Sequence, residues 1–374
     1  MLKRAVAYID LDAIYQNIAG IKAFVGDKTK VLAVVKADAY GHGMVPVAKK
    51  ALQCGVTSFA VATPDEAVGL RKAVPEGMIL VLSPVEREAY PALIAGKISL
   101  CAFETWHLKE IARAAAVAGK RARVHIKLDT GMGRVGLRTD EEMKEALEVL
   151  RKNPETLEFE GLFTHFATAD AADLSFARIQ LSRFCHWREM ALAAGFSPVC
   201  HASNSAATMA LGAAHFDLCR MGISMYGYMP SGEMEPGLAK LSPALSLWSY
   251  VSHVKTIAPG ETVSYGRTFT AGRETRIATV PIGYADGYRR ALSGQGEAVL
   301  AGKKVRVAGR VCMDQIMLDV TGLEVKPGDP VLLLGEQNGL SVTADDWAEK
   351  CGTISYEILT GLTARIPRIY VHEE

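Results

Sequence analysis

The chain lacks an excess of charge of either sign. Its 42 lysines and arginines meet 41 aspartates and glutamates, a formal net charge of +1. That balance gives no reason to expect nucleic acid or an anionic membrane as a partner. It lacks any apolar run near the length of a bilayer span. The first ten residues carry Lys3 and Arg4 but no apolar core long enough for a signal peptide. Paired cysteines are missing too. The seven lie scattered at positions 54, 101, 185, 200, 219, 312 and 351, with no two-residue spacing of a zinc knuckle or redox motif. An odd count argues against a full disulfide framework, so reduced thiols in the cytoplasm are the expectation. No Gly-x-Gly-x-x-Gly fingerprint follows any strand-like run, which lowers the prior for a dinucleotide fold. Low-complexity segments and internal repeats of sequence are absent as well.

What is there is an ordinary globular chain of 374 residues, 49% hydrophobic and 22% charged, with room for two domains. Short apolar runs begin at Val31, Ser58, Met78, Ile98, Val124, Gly161, Val199 and Leu218. Amphipathic stretches separate most of them. Ahead of the first run the pattern turns helical from Asp12, with Leu11, Ile14, Ile18, Ile21 and Val25 recurring at three- and four-residue steps. Thr63-Pro64-Asp65-Glu66 and Thr139-Asp140-Glu141-Glu142 are helix starts, the second with capping-box spacing. A helix over 174–194 would turn Phe176, Ile179, Phe184, Trp187 and Ala191 inward. Eight alternating strands and helices predict an α/β fold, a closed (β/α)8 TIM-type barrel, over residues 1–235. Glu233–Lys240 has the composition of a linker, and residues 236–374 become strand-and-turn, a mainly β C-terminal domain.

The first barrel strand ends Val34-Val35-Lys36-Ala37-Asp38-Ala39-Tyr40-Gly41-His42-Gly43. Burying an unpaired ammonium is costly. A strand-end lysine therefore snorkels, pairs, loses its charge or forms a covalent bond such as a Schiff base to an aldehyde. Gly41 and Gly43 would let backbone approach a ligand closely. The strand count places further polar residues at the same barrel mouth: Lys127, Asp129, His165, His201, Asn204, Ser205 and Arg220. Phosphate sites recur after the last two strands of such barrels. Ser205 at a helix start and Gly222 after Arg220 suit one, although a plain cap explains Ser205 equally well. A phosphate beside a reactive lysine points to pyridoxal 5'-phosphate. Zinc on His165, His201 and Asp129 is the weaker reading, since it leaves Lys36 without a role.

The Lys36 segment resembles the cofactor-lysine motif of the alanine racemases. So do His125–Gly136, Thr164–Ala167, His201–Ser205, Arg220–Ile223, Val263–Phe269, Pro281–Tyr288, Val311–Gln315 and Ser355–Ile358, in order across both domains. The resemblance implies Lys36 and Tyr265 as the two catalytic bases, Tyr265 acting across a head-to-tail homodimer. It implies support from His165, His201, Arg220 and Asp314. It puts the cofactor on Lys36, Tyr40, Arg134, Asn204, Ser205, Arg220, Gly222, Ile223 and Tyr356. Arg134 and the Met313 N–H would take the substrate carboxylate, and Lys127 is the position some members carbamylate. It implies D-alanine for a bacterial cell wall as the product, no resident metal, and a corridor lined by Tyr284, Tyr356, Asp170, Arg290 and Arg310. An arginine such as Arg220 cannot surrender its proton to a pyridine nitrogen, which favours racemisation over transamination. Read alone, Tyr265 in a turn is a packing residue, and Arg220 can equally pair with Asp217. A serine or broad-specificity racemase, a non-catalytic cofactor-carrier barrel and a barrel-type decarboxylase stay open as alternatives.

Overall fold

The computed structural model describes residues 4–235 and 240–372 and divides into two compact units. Eight parallel strands form the barrel unit: Lys30–Val34, Ser58–Val61, Met78–Val81, Ser99–Ala102, Ala122–Lys127, Leu157–Phe163, Val199–His201 and Leu218–Met221. Each of the first seven pairs with its neighbour in sequence, and the eighth pairs back onto the first, Leu32 opposite Arg220. The seam between seventh and eighth carries no ladder. Single bonds span it: Asp217 N–H to Cys200 O (3.1 Å) and Arg220 N–H to Ser203 O (3.0 Å). The barrel expected from the sequence is thus nearly closed.

Burial on both faces explains the near-continuous apolar strands. The helix Leu11–Val25 packs Ile14, Ile18 and Ile21 inward as its spacing requires. Helices Pro64–Ala73 and Asp140–Lys152 both start in full capping boxes. The helix Ser175–Ala193 corrects the expected face. Ile179 is exposed and Gln180 is fully buried in its stead. The reason is polar: the Gln180 amide accepts from Ala167 N–H and donates to His165 O and Thr130 Oγ1. A loop buried beside a helix needs such partners for its backbone.

The second unit is mainly β, as expected. It comprises residues up to Asp12, Tyr40–Gly43 and the chain from Pro243 on. A division at 235/236 misses the first two of these segments. The reason is pairing: strand Ala5–Asp10 lies antiparallel to Leu245–Tyr250 and parallel to Arg368–Val371. The expected linker over Glu233–Lys240 falls partly on residues 236–239, which lie outside the described residues. The expected strand Trp248–Ile257 is two strands, Leu245–Tyr250 and His253–Ile257, in different sheets.

The first barrel strand also ends earlier than expected, at Val34. Tyr226, fully buried after the eighth strand, donates its hydroxyl to Val34 O at 2.9 Å. That bond pins the strand leading to Lys36 onto the closing turn of the barrel. Tyr226→Phe keeps the packing and removes the donor, so it should lower stability by about 1–2 kcal/mol. Urea unfolding of the two proteins in parallel measures this.

Candidate active site

Lys36 does not end a strand. It opens a left-handed turn in which Ala37, Asp38, Ala39 and Tyr40 have φ between 51° and 54°. Burial lowers its ammonium pKa first, the charge of Arg134 lowers it further, and the Glu66 carboxylate raises it in opposition before the charge of Arg220 lowers it again. Gly41 and Gly43 have positive φ, as only glycine tolerates easily. The space a Cβ would need is taken by Leu359 O at Gly41 and by the Tyr370 ring at Gly43. The close approach expected of these glycines is therefore made to the protein's own β unit.

Arg220 is buried at 3% exposure in the eighth strand. Its Nη1 donates to His201 O (2.8 Å) and meets His201 Nδ1 (3.2 Å). Its Nη2 donates to Thr164 O (2.8 Å) and Ala202 O (3.0 Å) and meets His165 Nδ1 (3.2 Å). The alternative pair with Asp217 does not form. That carboxylate accepts from Cys200 N–H instead. Burial lowers the Arg220 pKa to about 10, which leaves it charged at neutral pH.

A guanidinium only donates, so the ring nitrogens it meets must accept. His165 and His201 then carry their protons on Nε2. His201 passes a bond on to His125 Nδ1 at 2.9 Å, and His125 Nε2 meets the Glu160 carboxylate at 3.1 Å. Ser99 Oγ donates to the same carboxylate. Burial and nearby cations hold both His165 and His201 well below their usual pKa, hence neutral. Phe163 stacks on His201 at 4.8 Å, with Lys127 Nζ and the Arg220 guanidinium over its ring.

Lys127 is buried and donates to Leu128 O at 2.7 Å, and burial pulls its pKa down to about 7. Asp129 accepts from Gly131 N–H (3.1 Å) and Gly133 N–H (2.9 Å), folding the loop that carries Arg134. Arg134 is exposed and makes no hydrogen bond or ion pair among the described residues. No group of three His, Cys, Asp or Glu among the described residues is placed to hold a metal.

Asn204, not Ser205, caps helix Ser205–Ala210, its Oδ1 accepting from Ala207 N–H at 2.9 Å. Ser205 Oγ instead accepts from Gly222 N–H at 2.9 Å. The Ile223 N–H beside it meets no acceptor among the described residues.

In the β unit, Tyr40 and Tyr356 lie with ring centroids 5.9 Å apart. Tyr265 is 69% exposed, so the packing reading of it fails. Its turn is strained, with Ser264 at φ 69° and Arg267 at φ 52°, and Ser264 Oγ ties it to Arg310 O at 2.6 Å. Met313 is 53% exposed, and its N–H meets no acceptor among the described residues. Asp314 next to it accepts from Arg365 (2.8 Å) and Arg4 (3.5 Å) and so anchors that loop. Glu66, His125, Glu160 and Gln180 carry polar structure around the barrel site without having been singled out as site residues. Glu66 showed only as a helix-start residue and His125 only as part of a motif.

A parallel barrel with a partly buried lysine just beyond its first strand and a buried arginine on its eighth suits a class: barrel enzymes that carry an aldehyde cofactor on lysine. Comparison with known proteins narrows it. Residues 9–230 match the model of the alanine racemase N-terminal domain, and residues 244–370 that of the C-terminal domain. The alanine racemase of Clostridium perfringens (strain SM101 / Type A) is 44% identical over 367 residues, 97% of this chain and 94% of that protein. Alanine racemase 2 of Caldanaerobacter subterraneus subsp. tengcongensis is 40% identical over 366 residues, with 97% and 94% coverage. The alanine racemase of Bacillus anthracis with bound L-Ala-P superposes with TM-score 0.94 at 41% identity, covering 100% of this chain and 96% of that one. The chain belongs to the alanine racemase family.

The Lys127 pKa predicts a pH signature. Unfolded, a lysine titrates near ~10.4. Between about 7 and ~10.4 the unfolded state therefore holds a proton that folded Lys127 lacks, and stability rises with pH across that window. Lys127→Met removes that contribution. In carbon-dioxide-free buffer, urea unfolding at stepped pH should show a slope shallower by up to ~1.4 kcal/mol per pH unit in the variant.

Proposed function

We propose that this chain interconverts L- and D-alanine with pyridoxal 5'-phosphate, using Lys36 and the partner's Tyr265 as bases on opposite faces of the substrate. Membership of the family supports the reaction and the cofactor. The arrangement of Arg220 supports the cofactor further. All five of its contacts fall on the two terminal nitrogens, and among the described residues its Nε–H meets no acceptor. One fixed, charged donor is thus left for a ring nitrogen.

The residues present fit the cofactor. Lys36, with its ammonium destabilised by burial, is the amine that holds the aldehyde carbon. Tyr40, Asn204, Ser205, Gly222, Ile223 and Tyr356 are the residues that would hold the phosphate and its surroundings. Gly222 N–H is engaged by Ser205 Oγ, so the Ser205 hydroxyl proton and the Ile223 N–H are the donors at hand. Pyridoxal phosphate, when bound, supplies an electron-withdrawing ring that acidifies the Cα–H of the amino acid joined to it. Because Arg220 keeps its proton, that ring stays a weaker electron sink than one facing a carboxylic acid. That would favour return of a proton to Cα over transamination.

The remaining steps belong to side chains. Arg134 is charged and unpaired, and binds the substrate carboxylate together with the Met313 N–H. Lys127, near neutral pKa, presents a free amine that can take up carbon dioxide, and its carbamate would steady Arg134. The partner's Tyr265 removes the proton from L-alanine while Lys36 delivers one to the other face, and the roles reverse for D-alanine. His165, its Nδ1 engaged by Arg220, donates Nε2–H to the partner's Tyr265 phenolic oxygen and favours its ionised form. Exposure of Tyr265 and Met313 on a single chain supports their use by a second copy.

Tyr265→Phe should reduce racemisation in both directions by about 10²–10⁴-fold, while α-deuterated D-alanine still exchanges with solvent through Lys36. Proton NMR of the reaction in each direction checks this. Inactive Lys36→Ala and Tyr265→Ala chains, unfolded and refolded together, should regain about a quarter of wild-type activity. Half of randomly paired dimers carry one intact shared site of two. No recovery on mixing would place both bases on one chain.

A further inference from the structure

The turn that follows Lys36 is expensive. Ala37, Asp38, Ala39 and Tyr40 are all non-glycine residues in the left-handed helical region. L-residues visit that region singly, because Cβ crowds the following carbonyl. A run of four persists only where neighbouring structure over-determines it. Backbone supplies one tie, Ala39 N–H to Val35 O at 2.9 Å. Asp38 supplies another, its Oδ1 accepting from Met44 N–H at 2.7 Å.

The third tie comes from a residue far off in sequence. Glu66 Oε1 accepts from Ala37 N–H at 2.6 Å, across 29 positions. The capping box at Thr63 does not need that oxygen. Oε2 alone accepts from Ala62 N–H (2.8 Å) and Thr63 N–H (3.2 Å). The chain contains its own control. In the box at Thr139, Glu142 also uses Oε2 alone, for Arg138 N–H (2.6 Å) and Thr139 N–H (3.2 Å). The Thr-x-x-Glu form of the box thus occurs twice among the described residues, and of these two carboxylates Glu66 is the one whose second oxygen reaches another segment. The N–H it takes is the first one after Lys36. Fixing that peptide fixes ψ of Lys36, and with it the direction in which the Lys36 side chain leaves the backbone.

We propose that Glu66 is a positioning residue for Lys36: its carboxylate clamps the Ala37 N–H and holds the left-handed turn that aims the Lys36 amine. The inference rests on the reading of Lys36 as cofactor anchor and as one of the two bases. A charge-assisted bond to a backbone N–H is among the stronger neutral-to-ion contacts. A base that must release the cofactor and then act on one face of Cα needs a backbone that does not relax between the two tasks. Asp38 and Val35 constrain the far side of the turn. Glu66 constrains the near side.

The test compares Glu66→Ala and Glu66→Gln with Glu142→Ala and Glu142→Gln. Thermal unfolding first establishes the shared loss from the caps. Cofactor is then stripped, and the rate at which added pyridoxal phosphate becomes borohydride-fixed on Lys36 is followed by mass spectrometry. Glu66→Ala should slow this capture and lower kcat about 10- to 100-fold with a smaller change in KM. The deuterium isotope effect with α-deuterated D-alanine, whose proton Lys36 takes, should rise more than that with L-alanine. Glu66→Gln, which keeps one accepting oxygen, should fall between wild type and Glu66→Ala and covers the case in which the alanine variant does not fold. The Glu142 variants should capture cofactor and turn over at the wild-type rate. Glu66 variants that match the Glu142 variants in capture rate, kcat and both isotope effects would reduce Glu66 to a helix cap and overturn the proposal. Wild-type protein that fixes no cofactor on Lys36, or that racemises no alanine, would overturn the functional reading itself.

Discussion

A buried guanidinium offers five donors and no acceptor, and the barrel site is arranged around that constraint at Arg220. Taking such a charge out of water is tolerable only if its protons are matched. Three strand-end carbonyls and two imidazole nitrogens match those on the two terminal nitrogens, and the Nε–H alone is left without an acceptor among the described residues. Those carbonyls belong to Thr164, His201 and Ala202, at the ends of the sixth and seventh strands. Arg220 therefore also spans the one barrel seam that lacks a strand ladder. Closure of the fold and polarity of the site depend on the same side chain.

The constraint propagates because it is directional. A donor-only group forces His201 Nδ1 to accept, which frees its Nε2–H to donate to His125, which in turn donates to Glu160. On the other side it forces His165 to present Nε2–H outward. Neither imidazole next to Arg220 can add a proton without losing a bond to it, so burial and hydrogen bonding agree on neutral rings. A site whose protonation states are fixed by geometry leaves any proton transfer to groups outside this network.

Much of this was legible in the sequence because it rests on local pattern. Eight short apolar runs at βα spacing predict the barrel, and strand ends predict Lys127, His165, His201 and Arg220 at one mouth. What was not legible depends on pairing across space. Nothing in Ala37-Asp38-Ala39-Tyr40 announces a left-handed turn, since the usual signal is glycine or asparagine and this run has neither. Strand Ala5–Asp10 reads as a lead-in to the first helix until its partner at Leu245–Tyr250 is known. Gln180 sits where periodicity would place any small residue, and its burial follows from a loop whose backbone needed partners. The glycines at 41 and 43 were visible as special positions, but the neighbour that makes them special, Leu359 or Tyr370, is more than three hundred residues away.

Tyr265 shows how exposure and strain together carry information that neither carries alone. An exposed aromatic is common on protein surfaces and by itself means little. A strained turn is often a local accident of packing. Here two nearby residues, Ser264 and Arg267, hold positive φ, and Ser264 is tied down by Arg310, while the residue they support stays 69% exposed. A single copy thus bears the cost of the turn without the gain of a packed side chain. Met313 shares the exposure but not the strain: its loop is fixed through Asp314, and its own φ is not positive. Conformational cost at a surface is retained where something outside the chain uses it. The turn under Tyr265 is a cost of that kind on the β unit.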